Sequence, residues 1–328
     1  MNREAFSLIF EQLEKDHHFS GAILVSQDGE VLFEKALGFA SSQLNVPNSL
    51  ETKFHIASVT KMFIAMAALI LSEQGRLSLR EKPAAYVHEM AALEKDITLH
   101  HLLSHTSGLQ DIYAVQNLRF EMHKLKVEQG SLLSYLVNLP QLFRPGEGWG
   151  YSSTGYILMG YILEKVTGLT FDDSMRRYVL APLSMTNTGL DLPRRINTGR
   201  ASGHVVENGQ MFNADNDKLS LFEEAPGELY STVLDLKKWC DAMFDCPLVS
   251  PATLKSMFTP YGQVDHSFHY GYGWFLAPGS RMHGGGTPGF LSLIRQYPEQ
   301  HVSVIVLFNS DHTDAKPIIR AIEPLLNA

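Results

Sequence analysis

The chain has 328 residues, of which 45% are hydrophobic and 19% are charged, and its formal net charge is −8. This is the composition of an ordinary globular protein, and the length allows one large or two medium domains whose core needs neither metal nor disulfides. The negative charge argues against a nucleic-acid partner, because binding to phosphates needs clustered Lys and Arg, and the sequence contains no such run.

Two features of the sequence concern its cellular location. Residues 1–18 are charged and amphipathic and lack the apolar segment of a signal peptide, and no run of about 18–20 apolar residues predicts a membrane span. Cys240 and Cys246 lie in one predicted helix at a spacing that suits neither a metal site nor a disulfide framework. We therefore expect a cytoplasmic protein with reduced thiols, or an exported one if a leader has been removed.

Apolar periodicity and breaker residues predict strands towards both ends of the chain and helices in the middle. In chain order the predicted elements are a helix over 2–16, a hairpin over 21–40, a loop over 38–57, a helix over 58–74 capped by Gly75, a connection with a short helix over 77–90, a helix over 96–109, helical segments over 112–143, helices over 153–168 and 171–182, an irregular segment over 187–224, a helix over 227–244, strands over 270–310 and a helix over 312–327.

Two turn signals organise the predicted strands. Asp28-Gly29 is the strongest short hairpin signal, and Pro298-Glu299-Gln300 separates the last two predicted strands. Segregation of strands from helices predicts an α+β fold. We expect one antiparallel sheet in which the N-terminal hairpin joins the C-terminal strands, with a helical insertion between them.

Ser58 stands where the helix over 58–74 begins, and Lys61 follows three residues later. Residues i and i+3 share one helix face with Cβ atoms about 5–6 Å apart, so the amine can reach the hydroxyl. The N–H groups and the dipole of a helix N-terminus favour an alkoxide and a neutral amine. We predict that Ser58 is a nucleophile and Lys61 its proton acceptor, although Ser is also a good N-cap and chance supplies about one such tetrad.

Such a nucleophile also needs a second proton-transfer group and an oxyanion hole. Tyr151, in a Gly-rich loop before a helix, is the candidate for proton transfer, and surface packing is the alternative. Three glycines follow His283, and glycine in a strand often marks the close approach of a ligand. The N–H groups of Gly286 and Ser58 are candidates for the oxyanion hole, and a simple bulge is the alternative.

Three motifs, Ser58-Val-Thr-Lys61, Tyr151-Ser-Ser153 and His283-Gly-Gly285, together resemble those of the serine β-lactamase and penicillin-binding protein superfamily. The Tyr in the middle motif points to the branch that contains class C β-lactamases, D-alanyl-D-alanine carboxypeptidases and esterases. Flanking stretches extend the resemblance over nearly the whole chain: LHHLLSHTSGL, APLSMTNT, GELYSTVLDLKKW, YGYGW and HGGGTPGF.

The resemblance implies that Ser58 attacks a carbonyl to form an acyl-enzyme, while Lys61 and Tyr151 share the proton transfers. His283 takes the place of a residue that is Lys in many members. The substrate and oxyanion positions implied are Ser153, Gly285 and Gly286. No cofactor or metal is implied, and the partner is a small ester, peptide or β-lactam.

The resemblance also implies two domains with the active site at their junction. Residues 1–75 and 225–328 form a discontinuous sheet domain, and residues 76–224 form a mostly helical domain. The loops at 110–125, 205–225 and 261–270 are expected to shape the pocket.

Two departures from the motifs narrow the expected activity. Ser153 stands where Asn is usual and reaches less far towards a substrate amide. His283 carries a weaker positive charge than Lys near neutral pH. Both argue against an efficient β-lactamase and favour an esterase or D-amino-acid peptidase.

Three alternatives remain at this level. One is a catalytically weak, sensor-type module that binds penicillin in the same pocket. Another is a metal site at His100, His101 and His105, although Leu102 stands where a zinc helix of this spacing has Glu. A standard α/β-hydrolase is disfavoured, because the sequence has no Gly-x-Ser-x-Gly.

Overall fold

The structure, a computed structural model, describes residues 8, 11, 19–127, 131–192, 195–214, 228–245, 247–310 and 314–326, apart from the side chains of residues 119, 126, 127 and 326. Of the helix predicted over 2–16, only Leu8 and Glu11 are described, and both are helical. Cys240 is a buried free thiol, as expected, and Cys246 lies outside the described residues.

Most strands of the described chain lie towards its two ends, and most helices lie between them. The strands are β1 Gly21–Gln27, β2 Glu30–Leu37, β3 Phe39–Ser41, β4 Val46–Pro47, β5 Phe54–His55, β6 Gly189–Leu190, β7 His204–Glu207, β8 Gln210–Asn213, β9 Leu229–Ser231, β10 Gly262–Gln263, β11 His269–Tyr270, β12 Phe275–Ala277, β13 Ser280–Thr287, β14 Phe290–Tyr297 and β15 Val302–Phe308. The α-helices are α1 Thr60–Glu73, α2 Leu99–Ser104, α3 Leu118–Val127, α4 Leu132–Leu136, α5 Ser153–Thr167, α6 Phe171–Met175, α7 Val233–Asp245, α8 Pro251–Met257 and α9 Lys316–Leu326.

One antiparallel sheet runs in the strand order β10-β11-β12-β13-β14-β15-β1-β2. The turn between β1 and β2 has positive φ at Asp28 (52°) and Gly29 (79°), as a type I′ turn requires. β1 pairs with β15 along its length, from Gly21 opposite Phe308 to Gln27 opposite Val302. The N-terminal hairpin therefore joins the C-terminal strands, which confirms the predicted sheet and the α+β fold.

Every residue of β15 is buried, because elements cover both faces of the sheet. Successive side chains of a strand point to opposite faces. Val304 and Val306 belong to the apolar cluster that contains Ile318 of α9. Ile305 and Leu307 belong to the larger cluster, which also contains α1 and α7. The strand is apolar apart from Ser303 because it separates two cores.

The central helix α1 is buried from Thr60 to Leu71, and a helix that is apolar on all sides belongs inside a core. It confirms the helix predicted over 58–74, except that Ser58 lies in a 3₁₀ turn, Ala57–Val59, immediately before it. Gly75 follows the helix with φ 69°, as expected of a C-cap glycine.

Other predictions need correction. The helix over 96–109 is the shorter α2, because His105 adopts a left-handed φ of 59° and ends it. The loop over 38–57 contains β3, β4 and β5. The segment over 187–224 is irregular only in part, because it contains β6 and the hairpin of β7 and β8; its residues 215–224 lie outside the described ranges. The turn of that hairpin is Asn208-Gly209, a signal visible in the sequence.

The helices predicted over 153–168 and 312–327 are confirmed as α5 and α9. The helix predicted over 227–244 begins later, as α7, because its first part forms β9. The helical segments over 112–143 include a 3₁₀ turn, α3 and α4. The division into a sheet domain (1–75 and 225–328) and a helical domain (76–224) stays a prediction. Within the described ranges, no helix combines the length and apolar character needed to span a bilayer.

The packing of β13 on the Ser58 turn provides a first test. A Cβ atom on Gly285 would lie 2.4 Å from the Ile56 carbonyl oxygen and 2.8 Å from the Ser58 nitrogen. Gly285→Ala must therefore separate strand and turn, and overpacking of this kind costs about 1–3 kcal/mol. We expect Tm to fall by about 2–10 °C. Gly286→Ala is the control, because nothing lies within 4 Å of its Cβ position; an equal Tm for the two variants would contradict this packing.

Candidate active site

Ser58 and Lys61 are joined by a hydrogen bond of 3.0 Å between Lys61 Nζ and Ser58 Oγ. Lys61 is only 4% exposed, whereas Ser58 is half-buried. Ala57, which precedes the serine, has φ 44°, a conformation that costs a non-Gly residue about 1–3 kcal/mol. The strained turn places the Ser58 hydroxyl immediately before α1. Lys61, in the first turn of that helix, is therefore within hydrogen-bond distance of it.

Three hydrogen bonds from distant segments hold the strained turn. The Ile56 nitrogen donates to the Leu229 carbonyl at 2.9 Å, and the Leu229 nitrogen donates to Thr60 Oγ1 at 2.9 Å. Ser292 Oγ donates to the Ile56 carbonyl at 2.7 Å. Strands β9 and β14 therefore clamp the backbone on either side of the nucleophile.

Tyr151 lies beside Lys61, whose Nζ is 5.0 Å from the centroid of the phenol ring. The ring centroid of Tyr156, on α5, is 5.7 Å from the same atom. An ammonium group is attracted to the face of an aromatic ring, so the two tyrosines favour a Lys61 head group near Ser58. The structure thus brings together Ser58, Lys61 and Tyr151.

His105 packs against the loop that carries Tyr151 and is hydrogen-bonded to its backbone. It is fully buried, and its ring centroid is 4.4 Å from that of Tyr151. Its Nδ1 accepts a hydrogen bond from the Ser152 nitrogen at 3.1 Å, and its carbonyl accepts from the Gly150 nitrogen at 2.9 Å. Burial, followed by the charge of Lys61, lowers the pKa of His105 well below its usual value. His105 is therefore a neutral imidazole that positions the loop.

His283 is close to Tyr151, with ring centroids 6.3 Å apart, but it is 1% exposed. Its Nδ1 donates to the Gly284 carbonyl at 2.7 Å, which leaves Nε2 to accept from the Tyr270 hydroxyl at 2.9 Å. Burial, followed by the charge of Lys61, lowers the pKa of His283 to about 3. His283 is thus neutral and offers no positive charge to a substrate carboxylate.

The glycines of β13 lie against the Ser58 turn. β12 pairs with β13 only over residues 280–282, so the edge that begins at residue 283 is open to the turn. The Cβ position of Gly285 points at the Ser58 nitrogen, and that of Gly286 points into open space. Gly285 therefore packs against the Ser58 turn, and Gly286 follows it on the same strand.

Ser153 is the first residue of α5 and is buried. Its nitrogen donates to Asp111 Oδ1 at 3.2 Å. The same carboxylate oxygen accepts from the Tyr113 nitrogen at 3.3 Å. Asp111 therefore ties the middle motif to the segment that carries Tyr113.

A cluster of four charged side chains begins three residues before Ser58, and no local sequence pattern reveals it. His55 Nδ1 lies 2.8 Å from Asp191 Oδ2, and His55 Nε2 lies 2.7 Å from Glu228 Oε2. Arg200 Nε lies 2.6 and 2.9 Å from the two oxygens of Asp191. The partners of His55 are 136 and 173 positions away in the chain, so only the tertiary fold brings them together.

The ionisation of this cluster follows from its contacts. Burial lowers the pKa of His55, but its hydrogen bonds to Asp191 and Glu228 and their charges outweigh this and raise it to about 9. Burial raises the pKa of Asp191, but His55 and Arg200 outweigh this and lower it to about 2. For Glu228, burial is likewise outweighed by His55, with a further contribution from the charge of Lys61, and its pKa is lowered. At neutral pH the cluster holds an imidazolium between two carboxylates.

The histidines considered as metal ligands have other partners. His100 Nδ1 is bonded to the Tyr272 hydroxyl at 2.7 Å, and His101 Nδ1 accepts from the Thr98 nitrogen at 3.2 Å. His105 binds the Ser152 backbone. Across the part of the chain that the structure describes, no three His, Cys, Asp or Glu side chains come together in an arrangement suited to a metal.

Known proteins are similar to this chain in sequence and in fold. A family model described as Beta-lactamase matches residues 6–326. Penicillin-binding protein 4* of Bacillus subtilis strain 168 is 27% identical, with 99% of this chain and 76% of that protein covered. A penicillin binding protein from Bacillus halodurans superposes with a TM-score of 0.84 at 26% identity, with 98% of this chain and 99% of that one covered. EstCE1, described as a hydrolase with promiscuous acyltransferase activity, shares the fold with a TM-score of 0.80 at 19% identity and covers 98% of each chain.

The charged cluster at His55 predicts how stability depends on pH. The pKa of His55 rises from 6.5 in the unfolded chain to about 9 in the fold, so its stabilisation is complete below pH 6.5 and is lost as the pH rises through about 9. We expect Tm to fall over this interval. His55→Gln should have a lower Tm at pH 6.5 and a flatter profile above it. Parallel profiles for the parent and the variant would show that His55 is not the titrating group.

Proposed function

Because the chain belongs to the beta-lactamase family, we propose that it is a serine hydrolase that forms an acyl-enzyme at Ser58 from an ester or amide substrate. The observation that carries the proposal is the 3.0 Å hydrogen bond between Lys61 Nζ and Ser58 Oγ. A nucleophile and a base within hydrogen-bond reach are what covalent catalysis by a serine requires.

In the acylation step, Ser58 Oγ attacks the carbonyl carbon and its proton passes to Lys61 Nζ, which acts in its neutral amine form. The leaving alkoxide or amine then receives a proton as the bond to the carbonyl carbon breaks. We assign the relay of this proton from the amine to the leaving group to Tyr151, whose ring centroid lies 5.0 Å from Lys61 Nζ. Lys61 and Tyr151 therefore act as one proton-transfer unit, and neither role needs a metal.

The negative charge that develops on the carbonyl oxygen needs preorganised donors. We assign these to the backbone N–H groups of Ser58 and Gly286. Support comes from the way β13 packs: the Gly285 Cβ position points at the Ser58 nitrogen, which keeps the strand edge and the turn in contact. A side chain at Gly285 would open the space between the two donors.

Deacylation repeats the sequence with water as the nucleophile. The water loses its proton to Lys61, adds to the acyl carbon, and forms a second tetrahedral intermediate at the same oxyanion hole. Its collapse breaks the ester bond to Ser58, returns the proton to Ser58 Oγ and releases the carboxylic acid.

The substrate is expected to be an ester or a D-amino-acid peptide, with weak turnover of β-lactams if any. His283 is buried and neutral, so the third motif supplies no fixed cation for a carboxylate. Ser153 is shorter than the usual Asn and lies buried at the start of α5. Both observations weaken the features by which a β-lactam would be held.

Replacing the nucleophile is the direct test of the proposal. Ser58→Ala should abolish hydrolysis of a p-nitrophenyl ester and labelling by a fluorophosphonate, because no other hydroxyl has Lys61 as a partner within the described residues. Ser72→Ala, a matched change on α1, should keep both. Hydrolysis by the Ser58→Ala protein at the parent rate would refute the assignment. Stoichiometric labelling of the parent by a fluorescent penicillin without turnover of any ester or peptide would favour a binding module instead.

The proton-transfer unit makes a separate prediction. Lys61→Met and Tyr151→Phe should each lower kcat by about 10²–10⁴-fold, the usual contribution of general acid–base catalysis. If the two residues act as one unit, the double variant should lose little more than the worse single variant. Circular dichroism and Tm measurements control for folding, because Lys61 is buried. Multiplicative losses in the double variant would show that the two residues act independently.

A further inference from the structure

Glu228 lies immediately before β9, the strand that is hydrogen-bonded to the turn carrying Ser58. It directly precedes β9, which pairs with β5 through Tyr230 opposite His55. Its neighbour Leu229 makes the two 2.9 Å hydrogen bonds, to Ile56 and Thr60, that hold the Ser58 turn. The backbone therefore fixes a carboxylate beside the nucleophile, although residue 228 is remote from it in sequence.

The Glu228 carboxylate is held in place but not enclosed. Its side chain is 26% exposed, whereas that of Asp191, on the other side of the imidazole, is 2% exposed. Among the described residues, the carboxylate accepts one hydrogen bond, from His55 Nε2 to Oε2 at 2.7 Å, which leaves Oε1 for another donor. Because His55 is itself held by Asp191, the exposed oxygen is preoriented.

The positively charged groups around the cleft already have partners. Lys61 is bonded to Ser58, and Arg200 is bonded to Asp191. The His55 imidazolium is bonded on both nitrogens. A cation brought by a substrate would therefore meet an oriented carboxylate oxygen, whereas each of these positive groups already faces a side chain of the protein.

An exposed aromatic side chain lies on the segment that Asp111 holds. Tyr113 exposes 42% of its area, and its nitrogen donates to Asp111 Oδ1, which also accepts from the Ser153 nitrogen. Because an aromatic ring face attracts ammonium groups, this ring is a candidate second contact for a substrate amine.

We propose that Glu228 is a specificity-determining residue that binds an ammonium group on the substrate. The substrates favoured would be aminoacyl esters, thioesters or amides with a free α-amine, and acyl donors with a carboxylate near the reacting carbonyl would be disfavoured. The inference rests on the proposed function, because it concerns the substrate class of the same Ser58 site.

Three thioesters of D-alanine and their L-enantiomers provide the test: the free amine, the N-acetyl and the N-succinyl forms, assayed by thiol release at about pH 6.5, where an α-amine is protonated. For the parent, kcat/KM should fall in that order for at least one enantiomer. Glu228→Gln keeps the shape of the side chain and an acceptor for His55. It should lower kcat/KM for the free amine by about 10–100-fold, as the loss of a charge-assisted hydrogen bond predicts, and change the N-acetyl value by less than about threefold.

Two further variants sharpen the result. Glu228→Lys should reverse the order and favour the N-succinyl form, and Glu51→Gln, at an exposed carboxylate three residues before Phe54, should change none of the three values. If Glu228→Gln alters all three substrates by the same factor, or none of them, Glu228 does not recognise an amine and the inference is overturned, while Ser58-dependent hydrolysis still supports the proposed function. Absence of any Ser58-dependent thiol release or fluorophosphonate labelling would instead overturn both.

Discussion

The structure depends on the strained turn in front of α1. Ala57 has a positive φ without being glycine, a cost of about 1–3 kcal/mol that only surrounding contacts can maintain. Those contacts come from β9 through Leu229, from β14 through Ser292, and from β13 through Gly285. One turn thus ties the sheet to the central helix. Contacts from three separate strands therefore fix the backbone position of Ser58.

Charge in the cleft is separated into two regions. Around Lys61 the groups are neutral: His105 and His283 are kept uncharged by burial and by the Lys61 charge, and Tyr151 and Tyr156 present ring faces. In the cluster at His55, a half-buried imidazolium and an arginine balance two carboxylates. Electrostatic interactions are strong where water is excluded. The neutral surroundings of Lys61 therefore suit proton transfer. The ionised groups near His55 suit recognition of a charged substrate.

Local patterns in the sequence predict the parts of the fold that short-range chemistry decides. The hairpin at Asp28-Gly29, the apolar helix after Ser58 and its terminal Gly75 need only turn chemistry and periodicity. The resemblance of the three motifs supplies the association of Tyr151 with Ser58, which spacing alone does not give. The His55 cluster cannot be predicted from local patterns, because the partners of His55 are 136 and 173 positions away in the chain. The early end of α2 cannot be predicted either. His105 ends it in a left-handed conformation, which is unfavourable for a residue other than glycine and is maintained by tertiary contacts.

The same separation of charge explains why the family resemblance does not fix the substrate. The residues that we propose to move protons, Ser58, Lys61 and Tyr151, serve the reaction itself, and one fold can carry such a site for different acyl groups. Residues that meet the rest of the substrate are free to differ. Here the third motif has a neutral His283, and an ionised Glu228 lies immediately before β9. We therefore propose that the partly exposed Glu228 carboxylate, rather than a cation of the third motif, sets the substrate preference of this chain.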